Sequence, residues 1–353
     1  MPSPIRTLVV DDSVFMRTVL KNALSRSPDI EVIGSAQNGR EALDRIQELK
    51  PDVVTLDIEM PGLTGLEVLE RVMKSDPLPV VMVSTKTQEG AQMTFDALDL
   101  GAVDYVAKPL ADRQASLQGF QEKVIRAVRS AFASNRKRIG RGDPTRVIRP
   151  RSCPLRTDGI VVAIGISAGG PATLHKLIPN IPSPFPPIVL TQHMPADFTG
   201  PFAKRLDAIA AIAVKEAEEG DELLPSRLLI APGSRHLRVG RRGKGACAVL
   251  DGGPKVSGFR PSVDVLFTSV AETFGCNAIG LVMTGMGSDG ADGVRAMKKA
   301  QAHTLSQDQE SCIVYGMPKA AFETGCVDRV VSLAEIPEVL VQALSTQSAA
   351  AAG

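Results

Sequence analysis

Apolar runs and amphipathic stretches alternate along the first 130 residues of this chain. Short runs rich in β-branched residues, typical of buried strands, are separated by stretches of helical periodicity such as residues 39–50 and 63–74. The predicted strands are residues 7–10, 31–35, 53–57, 80–84 and 102–107. This alternation predicts a doubly wound α/β fold, in which a ligand binds at the carboxyl ends of parallel strands.

A second strand–helix alternation occupies residues 158 to about 345. Its most apolar run, residues 160–166, precedes a helical pattern that opens at Pro171. Further predicted strands are residues 188–192, 227–231, 236–239, 278–283 and 302–306, and a helix begins within residues 260–267 with Ser262 as its N-cap. The predicted fold class is therefore α/β, with two doubly wound, mainly parallel-sheet domains.

A segment without amphipathic period joins the two halves. Helical periodicity extends over residues 112–133, and basic residues, glycine and proline then dominate. We interpret residues 131–157 as a basic flexible linker; the alternative is a contact for an acidic partner. The alanine-rich residues 346–353 are predicted to be a disordered tail. The predicted domains are residues 1–130 and 158–345.

Composition and charge narrow the classes of function. The chain has 353 residues and a net charge of +1, so no global charge draws it to nucleic acid or to a membrane. Its five cysteines are scattered without a CxxC pair, which indicates reduced thiols in the cytoplasm. There is no N-terminal export signal and no apolar run of roughly 20 residues. We expect a cytoplasmic monomer that neither binds nucleic acid nor inserts into a membrane.

Polar residues stand at the carboxyl ends of the predicted strands in the first domain. Asp11 and Asp12 follow the first strand, Asp57 ends the third, Ser84 ends the fourth and Lys108 follows the fifth. One such carboxylate alone is commonly a solvated loop residue or a helix cap. Clustered carboxylates repel one another, and Mg²⁺, which prefers oxygen ligands, relieves that repulsion. One carboxylate is then available as a nucleophile toward a phosphoryl donor.

Several motifs of the first domain resemble the response-regulator receiver family over about residues 4–125. The motifs are Asp11-Asp12, Leu56-Asp57-Ile58-Glu59-Met60-Pro61-Gly62, Ser84 and Lys108-Pro109. The resemblance implies phosphorylation of Asp57. It also implies Mg²⁺ bound by Asp12, Asp57 and the Glu59 carbonyl, with Asp11 helping through water.

The same resemblance assigns further residues around the phosphoryl group. Ser84 and Lys108 would bind that group, and Tyr105 occupies the position of the aromatic switch residue. A histidine kinase of the chemotaxis type is the implied phosphoryl donor. The sequence departs from many receivers at residues 63–65, Leu-Thr-Gly, and we expect no effect of this on the chemistry.

A serine follows the first strand of the second domain in a glycine-rich turn. The spacing Gly165-x-Ser167-x-Gly169 fits the nucleophile-elbow pattern, and the helix that follows offers N–H groups to an oxyanion. Glycine-rich turns of this kind also bind phosphate or simply turn the chain. The turn by itself leaves these alternatives open.

Two further strand ends in this domain carry residues that would activate a serine. His193 follows the strand at 188–192, and Asp289 lies in the loop after the strand at 278–283. A serine nucleophile needs a base to take its proton and a carboxylate to orient that base. If the sheet is parallel, Ser167, His193 and Asp289 lie on one rim.

Other histidines and carboxylates are weaker candidates. His175 falls within a predicted helix, and His236 and His303 lie inside strand-like patterns. Asp289 has an alternative role as a helix N-cap. Its rivals as the carboxylate of the set are Asp292, Asp197 and Asp264.

Motifs of the second domain resemble the chemotaxis protein-glutamate methylesterase family (CheB type). They are Gly165-Ile-Ser-Ala-Gly-Gly, Gln192-His-Met-Pro, Arg260-Pro-Ser-Val-Asp and Thr284-Gly-Met-Gly-Ser-Asp-Gly-Ala. The resemblance implies a phosphorylation-activated hydrolase that removes methyl esters from chemoreceptor glutamates, releases methanol, and also deamidates receptor glutamines. Ser167 would be the nucleophile, His193 the base and acid, and Asp289 the residue that orients His193.

The resemblance also defines the surroundings of the implied nucleophile. Met286 belongs to the loop that lines the oxyanion region, and no cofactor is implied for the esterase. Many members carry threonine after the serine, whereas this chain has Ala168. The Ala168 N–H remains an oxyanion donor, but any hydroxyl contribution is lost. Losing one such donor costs roughly 2.7–4 kcal/mol in other enzymes, so we expect an effect on rate rather than on reaction type.

The family order of receiver, linker and esterase implies regulation. The receiver of such proteins obstructs the esterase site until Asp57 is phosphorylated, which is a two-state interface biased by one local charge. Methylated chemoreceptors are the implied substrate. Two rival readings are a response regulator whose output is binding to DNA or a scaffold, and a hydrolase of small-molecule esters. The binding rival does not explain Ser167, His193 and Asp289 at strand ends, and no DNA-binding motif is visible. The hydrolase of small-molecule esters remains an open alternative.

Overall fold

A computed structural model of the chain describes residues 3–85, 87–109, 114–134, 157, 159–243 and 245–350. The chain separates into two compact units, residues 1–142 and 143–353. Most of the predicted linker, residues 131–157, lies outside the described residues. Its first two residues instead continue the last helix of the first unit, where Ala131 is buried.

The first unit contains a five-stranded parallel sheet with the order β2-β1-β3-β4-β5. The strands are β1 (Ile5–Val10), β2 (Ile30–Ala36), β3 (Val53–Asp57), β4 (Val80–Ser84) and β5 (Asp104–Ala107). The helices are α1 (Val14–Leu24), α2 (Gly39–Leu49), α3 (Gly65–Ser75), α4 (Gln88–Leu100) and α5 (Gln114–Phe132). The central strands β3 and β4 are wholly buried, as their continuous apolar runs predict.

The second unit is built on a seven-stranded parallel sheet with the order β14-β13-β12-β6-β7-β9-β8. Its strands are β6 (Val161–Ile166), β7 (Ile188–Gln192), β8 (Ala213–Glu216), β9 (Arg227–Ile230), β12 (Ala278–Val282), β13 (His303–Gln307) and β14 (Arg329–Val331). A separate antiparallel hairpin consists of β10 (His236–Arg242) and β11 (Gly245–Asp251). The predicted α/β class with mainly parallel sheets is confirmed.

Helices cover the seven-stranded sheet and bury its apolar side chains. They are α6 (Gly170–Leu177), α7 (Ala196–Asp207), α8 (Val263–Phe274), α9 (Ala291–Lys299), α10 (Met317–Glu323) and α11 (Ile336–Ala350). One core cluster joins Ala163 of β6 and Val282 of β12 to Phe267 and Val270 of α8 and Val294 of α9. Each large side chain buried in this way contributes about 1.5–3 kcal/mol to folding. This packing fixes α8 and α9 at the edge where the site residues emerge.

The strand order of the second unit reverses direction at β6. From β6 the chain adds β7 and β9 on one side, and it later returns to add β12 and β13 on the other. Ile166 pairs with Gln192 of β7, and Gly165 pairs with Val282 of β12, so these three strands end together. Such a switch point is the usual ligand site of an open α/β sheet.

Three strands were not predicted, and one predicted strand has an unexpected partner. The missed strands are β8, β11 and β14. β8 and β14 are short sheet edges of four and three residues, and β11 begins at a glycine. The strand predicted at residues 236–239 lies in the antiparallel hairpin rather than in the main sheet. Apolar periodicity does not distinguish these two pairings.

The C-terminal end differs from the prediction. Residues 346–350, predicted to be disordered, continue helix α11 to Ala350. Alanine has the highest intrinsic helix propensity, so an alanine-rich segment extends a helix that packing has already nucleated. Residues 351–353 lie outside the described part of the chain. Over the described ranges, no helix is both long enough and apolar enough to cross a bilayer.

Candidate active site and phosphorylation site

Ser167 lies in a tight turn between β6 and α6. Its backbone N–H donates to the Thr284 carbonyl at 2.9 Å, and its own carbonyl accepts from Gly170 N at 2.8 Å. Gly169 has φ +74°, a left-handed conformation that favours glycine, and it is the N-cap of α6. The turn therefore presents a half-buried serine at the carboxyl end of the sheet.

The loop after β12 packs directly behind this serine. A Cβ atom placed on Gly285 would lie 2.8 Å from the Ser167 Cβ, so only glycine fits without a shift. The Gly285 carbonyl accepts from the backbone N–H groups of Gly316 at 3.0 Å and Met317 at 2.8 Å. These bonds fix the loop that also carries Met286, which is half-buried.

His193 follows β7, the neighbouring strand. Its backbone N–H donates to the Ile166 carbonyl at 3.2 Å, which ties it to the strand that leads to Ser167. Its Nε2 atom lies 2.7 Å from Asp289 Oδ2, and the imidazole stacks on the Phe259 ring at 3.7 Å between centroids and 5° between planes. The ring is thus oriented both by a carboxylate and by an aromatic face.

Asp289 is buried and accepts hydrogen bonds on both oxygens. Oδ1 accepts from Ser262 Oγ at 2.7 Å and from Asp264 N at 3.2 Å, while Oδ2 accepts from Val263 N at 2.8 Å. Burial favours a higher pKa of Asp289, but the hydrogen bonds from His193, Val263 and Ser262 outweigh it and lower that pKa. The carboxylate is ionised at neutral pH and aimed at the imidazole.

The three rival carboxylates lie in surroundings that differ from those of Asp289. Asp292 is exposed on α9 and pairs with Arg295 at 2.5 Å, and Asp197 is exposed on α7. Asp264 is buried beside Asp289, and its Oδ1 accepts from the backbone N–H groups of Gly290 and Gly293. Burial, together with the charge of Asp289, raises the pKa of Asp264 to about 6 although the Gly293 hydrogen bond lowers it.

Ser262 occupies the predicted N-cap position of α8, but its hydroxyl does not cap the helix. That hydroxyl donates to Asp289, and the Asp289 carboxylate accepts the first N–H groups of α8 instead. A carboxylate in the positive end of a helix is favoured electrostatically. Asp289 therefore does cap a helix, as its alternative role predicts. The helix that it caps is α8, which precedes it in the chain, rather than α9.

Around the turn, Gln307 and Phe259 were not identified from the sequence, and Gln192 and Thr284 appeared only as members of quoted motifs. Gln192 Nε2 donates to the Ser167 carbonyl at 3.0 Å, and Gln307 Oε1 accepts from Thr284 N at 2.9 Å. The Thr284 hydroxyl in turn donates to the carbonyl of Ala168, which is buried. A glutamine at the end of a buried strand is a sequence signal for hydrogen bonding to the neighbouring loop. Phe259 has no comparable signal, because its partner His193 is distant in sequence.

In the first unit, Lys108 bridges two buried carboxylates. Its ammonium lies 2.7 Å from Asp57 Oδ2 and 3.2 Å from Asp11 Oδ2. Burial and then the charge of Asp11 raise the pKa of Asp57 to about 6, against the opposing effect of Lys108. Asp57 ends β3 and Asp11 follows β1, so the sheet itself brings the carboxylates together.

The remaining predicted receiver residues lie around this centre. Glu59 N donates to Asp57 Oδ1 at 3.3 Å, whereas Ser84 Oγ donates to the Gly90 carbonyl at 3.0 Å rather than pointing to Asp57. Tyr105 is half-buried in β5, opposite Met82 of β4. Arg17, not identified from the sequence, donates to the Asp11 and Asp12 carbonyls.

The donor set of this centre fits a hard divalent cation. Asp11, Asp12 and Asp57 each offer a carboxylate oxygen, and these oxygens lie within 4.8 Å of one another. Three carboxylates exceed the single positive charge of Lys108, so a cation would relieve their repulsion. Oxygen-only ligands are those that Mg²⁺ prefers.

Comparison with known proteins agrees with this arrangement. Residues 162–340 match the family described as CheB methylesterase, and residues 7–117 match the response regulator receiver domain. The Caulobacter vibrioides protein-glutamate methylesterase/protein-glutamine glutaminase 1 is 48% identical, over 97% of this chain and 99% of its own length. A relative of the same name from Syntrophotalea carbinolica is 45% identical over 98% of this chain and 99% of its own length.

A solved structure resembles the second unit. The catalytic domain of Thermotoga maritima CheB methylesterase has 40% sequence identity and a TM-score of 0.51, and the match covers 52% of this chain and 98% of that domain. Similarity to the full-length relatives spans both units. The chain therefore belongs to the CheB methylesterase family and carries a response-regulator receiver domain ahead of its methylesterase domain.

Proposed function

We propose that this chain hydrolyses γ-glutamyl methyl esters of chemoreceptors with Ser167, His193 and Asp289 as its catalytic residues. The observation that carries the proposal is the 2.7 Å bond between His193 and Asp289 beside the Ser167 turn. Relatives named protein-glutamate methylesterase/protein-glutamine glutaminase support the substrate class. We place the reaction in the cytoplasm.

The roles of the two His193 nitrogens are part of this proposal. Nε2 lies 2.7 Å from Asp289 Oδ2, which supports an N–H on Nε2 that donates to the carboxylate. Nδ1 is then the proposed acceptor of the Ser167 proton. Ser167 Oγ then attacks the ester carbonyl carbon and forms a tetrahedral intermediate. Asp289 stabilises the imidazolium that results, while the Phe259 face keeps the ring in plane.

Collapse of this intermediate releases methanol. Backbone N–H groups at Ala168 and in the loop that carries Met286 are the proposed donors to the oxyanion. The imidazolium returns its proton to the methoxide leaving group, which leaves an acyl-enzyme on Ser167. Water, deprotonated by His193, hydrolyses the acyl-enzyme to glutamate and restores the serine.

The same residues suit glutamine deamidation. A primary amide presents the same carbonyl carbon, and ammonia replaces methanol as the leaving group once His193 has donated its proton. Relatives whose names include protein-glutamine glutaminase support this second activity. The amide reaction demands better protonation of the leaving group, because amide nitrogen leaves less readily than methoxide.

We further propose that a chemotaxis-type histidine kinase phosphorylates Asp57. Asp57 attacks the phosphorus atom of the kinase phosphohistidine, the P–N bond breaks, and the kinase histidine leaves. The Lys108 ammonium, which lies 2.7 Å from Asp57 Oδ2, binds the transferred group. Asp11, Asp12, Asp57 and the Glu59 carbonyl would hold Mg²⁺, which when bound neutralises phosphoryl charge. The Ser84 hydroxyl must leave the Gly90 carbonyl to reach the phosphoryl group, and Tyr105 is the proposed switch residue.

The esterase proposal is tested by methanol release from a methylated receptor fragment. Ser167→Ala should abolish release, whereas Ser183→Ala, which alters an exposed serine ahead of β7, should leave it unchanged. A fluorophosphonate should label the wild type on Ser167. Release that persists in Ser167→Ala would refute the assignment of the nucleophile.

The receiver proposal is tested on the same reaction with acetyl phosphate and Mg²⁺. Activity of the wild type should rise, and Asp57→Asn should prevent the rise without lowering basal activity. Asp44→Asn, which removes an exposed carboxylate on α2, serves as the matched control. An equal rise in Asp57→Asn would show that the phosphoryl group acts elsewhere.

A further inference from the structure

His236 is a buried histidine that the proposed reaction does not use. It opens β10, is 1% exposed, and has a backbone partner for each ring nitrogen. Its Nδ1 accepts from Ser262 N at 3.1 Å, and its Nε2 lies 2.9 Å from the Pro254 carbonyl. In the sequence it falls within a strand-like pattern, which gives no sign of a role in catalysis.

The two partners define one protonation state. An N–H faces Nδ1, so that nitrogen must present its lone pair, and a carbonyl faces Nε2, so that nitrogen must carry a proton. A second proton on Nδ1 would set two donors against each other in a buried site. The geometry therefore selects the neutral imidazole protonated on Nε2.

His236 is connected to the candidate active site through a single residue. Ser262, whose backbone N–H donates to His236, donates its hydroxyl to Asp289 Oδ1 at 2.7 Å. Asp289 Oδ2 in turn contacts His193 Nε2 at 2.7 Å. A continuous run of hydrogen bonds thus leads from one histidine to the other.

We propose that His236, as the neutral Nε2–H tautomer, is a positioning residue of the esterase reaction. By accepting the Ser262 N–H, it fixes the backbone from which the Ser262 hydroxyl reaches Asp289. Asp289 is then held with Oδ2 toward His193. The inference rests on the proposed function, because it assigns His236 a role in the orientation of the same catalytic carboxylate.

Two carboxyl groups lie on the elements packed against His236. Asp251 of β11 is its direct partner in the antiparallel ladder, and Asp264 lies on α8, which packs on β10. The tautomer of His236 can be measured, and a role in positioning Ser262 requires the Nε2–H tautomer. Simple filling of the core requires no particular tautomer.

Two amide replacements each keep one of the two hydrogen bonds of His236 and remove the other. In His236→Asn the amide oxygen can take the place of Nδ1 and accept from Ser262. In His236→Gln the amide nitrogen can take the place of Nε2 and donate to Pro254, but Ser262 N loses its acceptor. Both variants remove the ring, and their side chains differ from each other by one methylene group. Asn, the smaller of the two, leaves the larger cavity, so a greater loss of kcat in His236→Gln cannot come from lost packing.

The variants are compared in full-length protein by methanol release across pH. His236→Gln should lower kcat by roughly 10- to 100-fold with little change in KM, since a small misplacement of a catalytic group has that effect. His236→Asn should retain kcat within about threefold. Equal losses in the two variants, or no loss in either, would overturn the proposal.

An NMR measurement on the wild type is independent of activity. Long-range ¹H–¹⁵N correlations of the four histidines should show the His236 proton on Nε2 and a bare Nδ1. A doubly protonated ring or the Nδ1–H tautomer would overturn the proposal. If wild-type protein released no methanol, the proposed function would fail, and the tautomer and fluorophosphonate labelling of Ser167 in both variants would still decide the role of His236.

Discussion

Asp289 and Asp264 each accept backbone hydrogen bonds at the N-terminus of the helix that lies next to the other residue in the chain. Asp289 precedes α9 but accepts backbone hydrogen bonds at the start of α8, from Val263 and from Asp264 itself. Asp264 lies in the first turn of α8 but accepts from Gly290 and Gly293 at the start of α9. Each carboxylate thus occupies the positive end of the other helix. The exchange locks the two helices together beside the candidate active site.

The buried Asp264 should make stability depend on pH. Its pKa is raised from 3.8 to about 6, mainly by burial. Between those values the folded protein binds a proton that the unfolded chain has released, so the free energy of unfolding falls as pH rises. Asp264→Asn cannot ionise, and its stability relative to wild type should therefore rise by roughly 1–2 kcal/mol from about pH 4 to about pH 7. Thermal melting of both proteins measures this difference, and a flat difference would contradict the argument.

Asp289→Asn should remove most of the esterase activity. The amide can donate to His193 and stabilise the wrong tautomer, and the imidazolium loses its countercharge. We expect kcat to fall by roughly 10³- to 10⁴-fold with KM little changed. The matched variant Asp292→Asn alters an exposed carboxylate on α9 and should stay within about twofold of wild type. Similar losses of kcat in the two variants would contradict the choice of Asp289 as the carboxylate that orients His193.

Two serines near the start and middle of α8 separate positioning from packing. Ser262→Ala removes the 2.7 Å hydrogen bond to Asp289, and kcat should fall roughly 10- to 150-fold, as expected for a bond to a charged group worth about 1.5–3 kcal/mol. Ser269→Ala removes a buried hydroxyl that bonds Leu266 and Val239 instead. It should lower the melting temperature while kcat is retained. Losses of activity that simply follow stability in both variants would argue against a positioning role for Ser262.

Lys108→Gln should destabilise the receiver in a pH-dependent way. Without the ammonium, Asp57 and Asp11 lose their buried countercharge, and unfolding free energy should fall by roughly 3 kcal/mol at neutral pH without Mg²⁺. The loss should shrink below about pH 6, where Asp57 takes up a proton. Lys74→Gln breaks an exposed pair with Glu70 and should cost under about 0.5 kcal/mol. Melting curves of the two variants at both pH values test this contrast.

The sequence predicted the parallel sheets because their central strands are unusually clear. The strands at 53–57, 80–84 and 188–192 match the structure residue for residue, since each is a continuous apolar run that both faces of a parallel sheet bury. Edge strands such as β8 and β14 were not predicted, because a strand at the edge of a sheet needs little apolar surface. The alanine-rich C-terminus was misjudged because low complexity and high helix propensity coincide there.

For the candidate site, strand ends were predictable and side-chain partners were not. Ser167 and His193 directly follow parallel strands and Asp289 lies in the loop after a third, so a one-dimensional pattern is enough to propose them. The Phe259 ring against His193 and the His236 contact to Ser262 join segments far apart in the chain. No local pattern encodes such contacts. Ser262 shows the limit of local rules, because its hydroxyl leaves its own helix to bond a distant carboxylate.

The bond between His193 and Asp289 also has a consequence for how the enzyme is assembled. It joins residues 96 positions apart and spans the strand that carries Ser167. Loops of that length close late and slowly in folding, because their entropy must be overcome before the contact forms. During refolding, pairing of β6 with β7 can precede the arrival of β12, and a chain at that stage has a serine and a histidine but no partner carboxylate. Recovery of hydrolysis should therefore lag behind recovery of secondary structure. The rate at which activity returns would then report when β12 joins the central sheet.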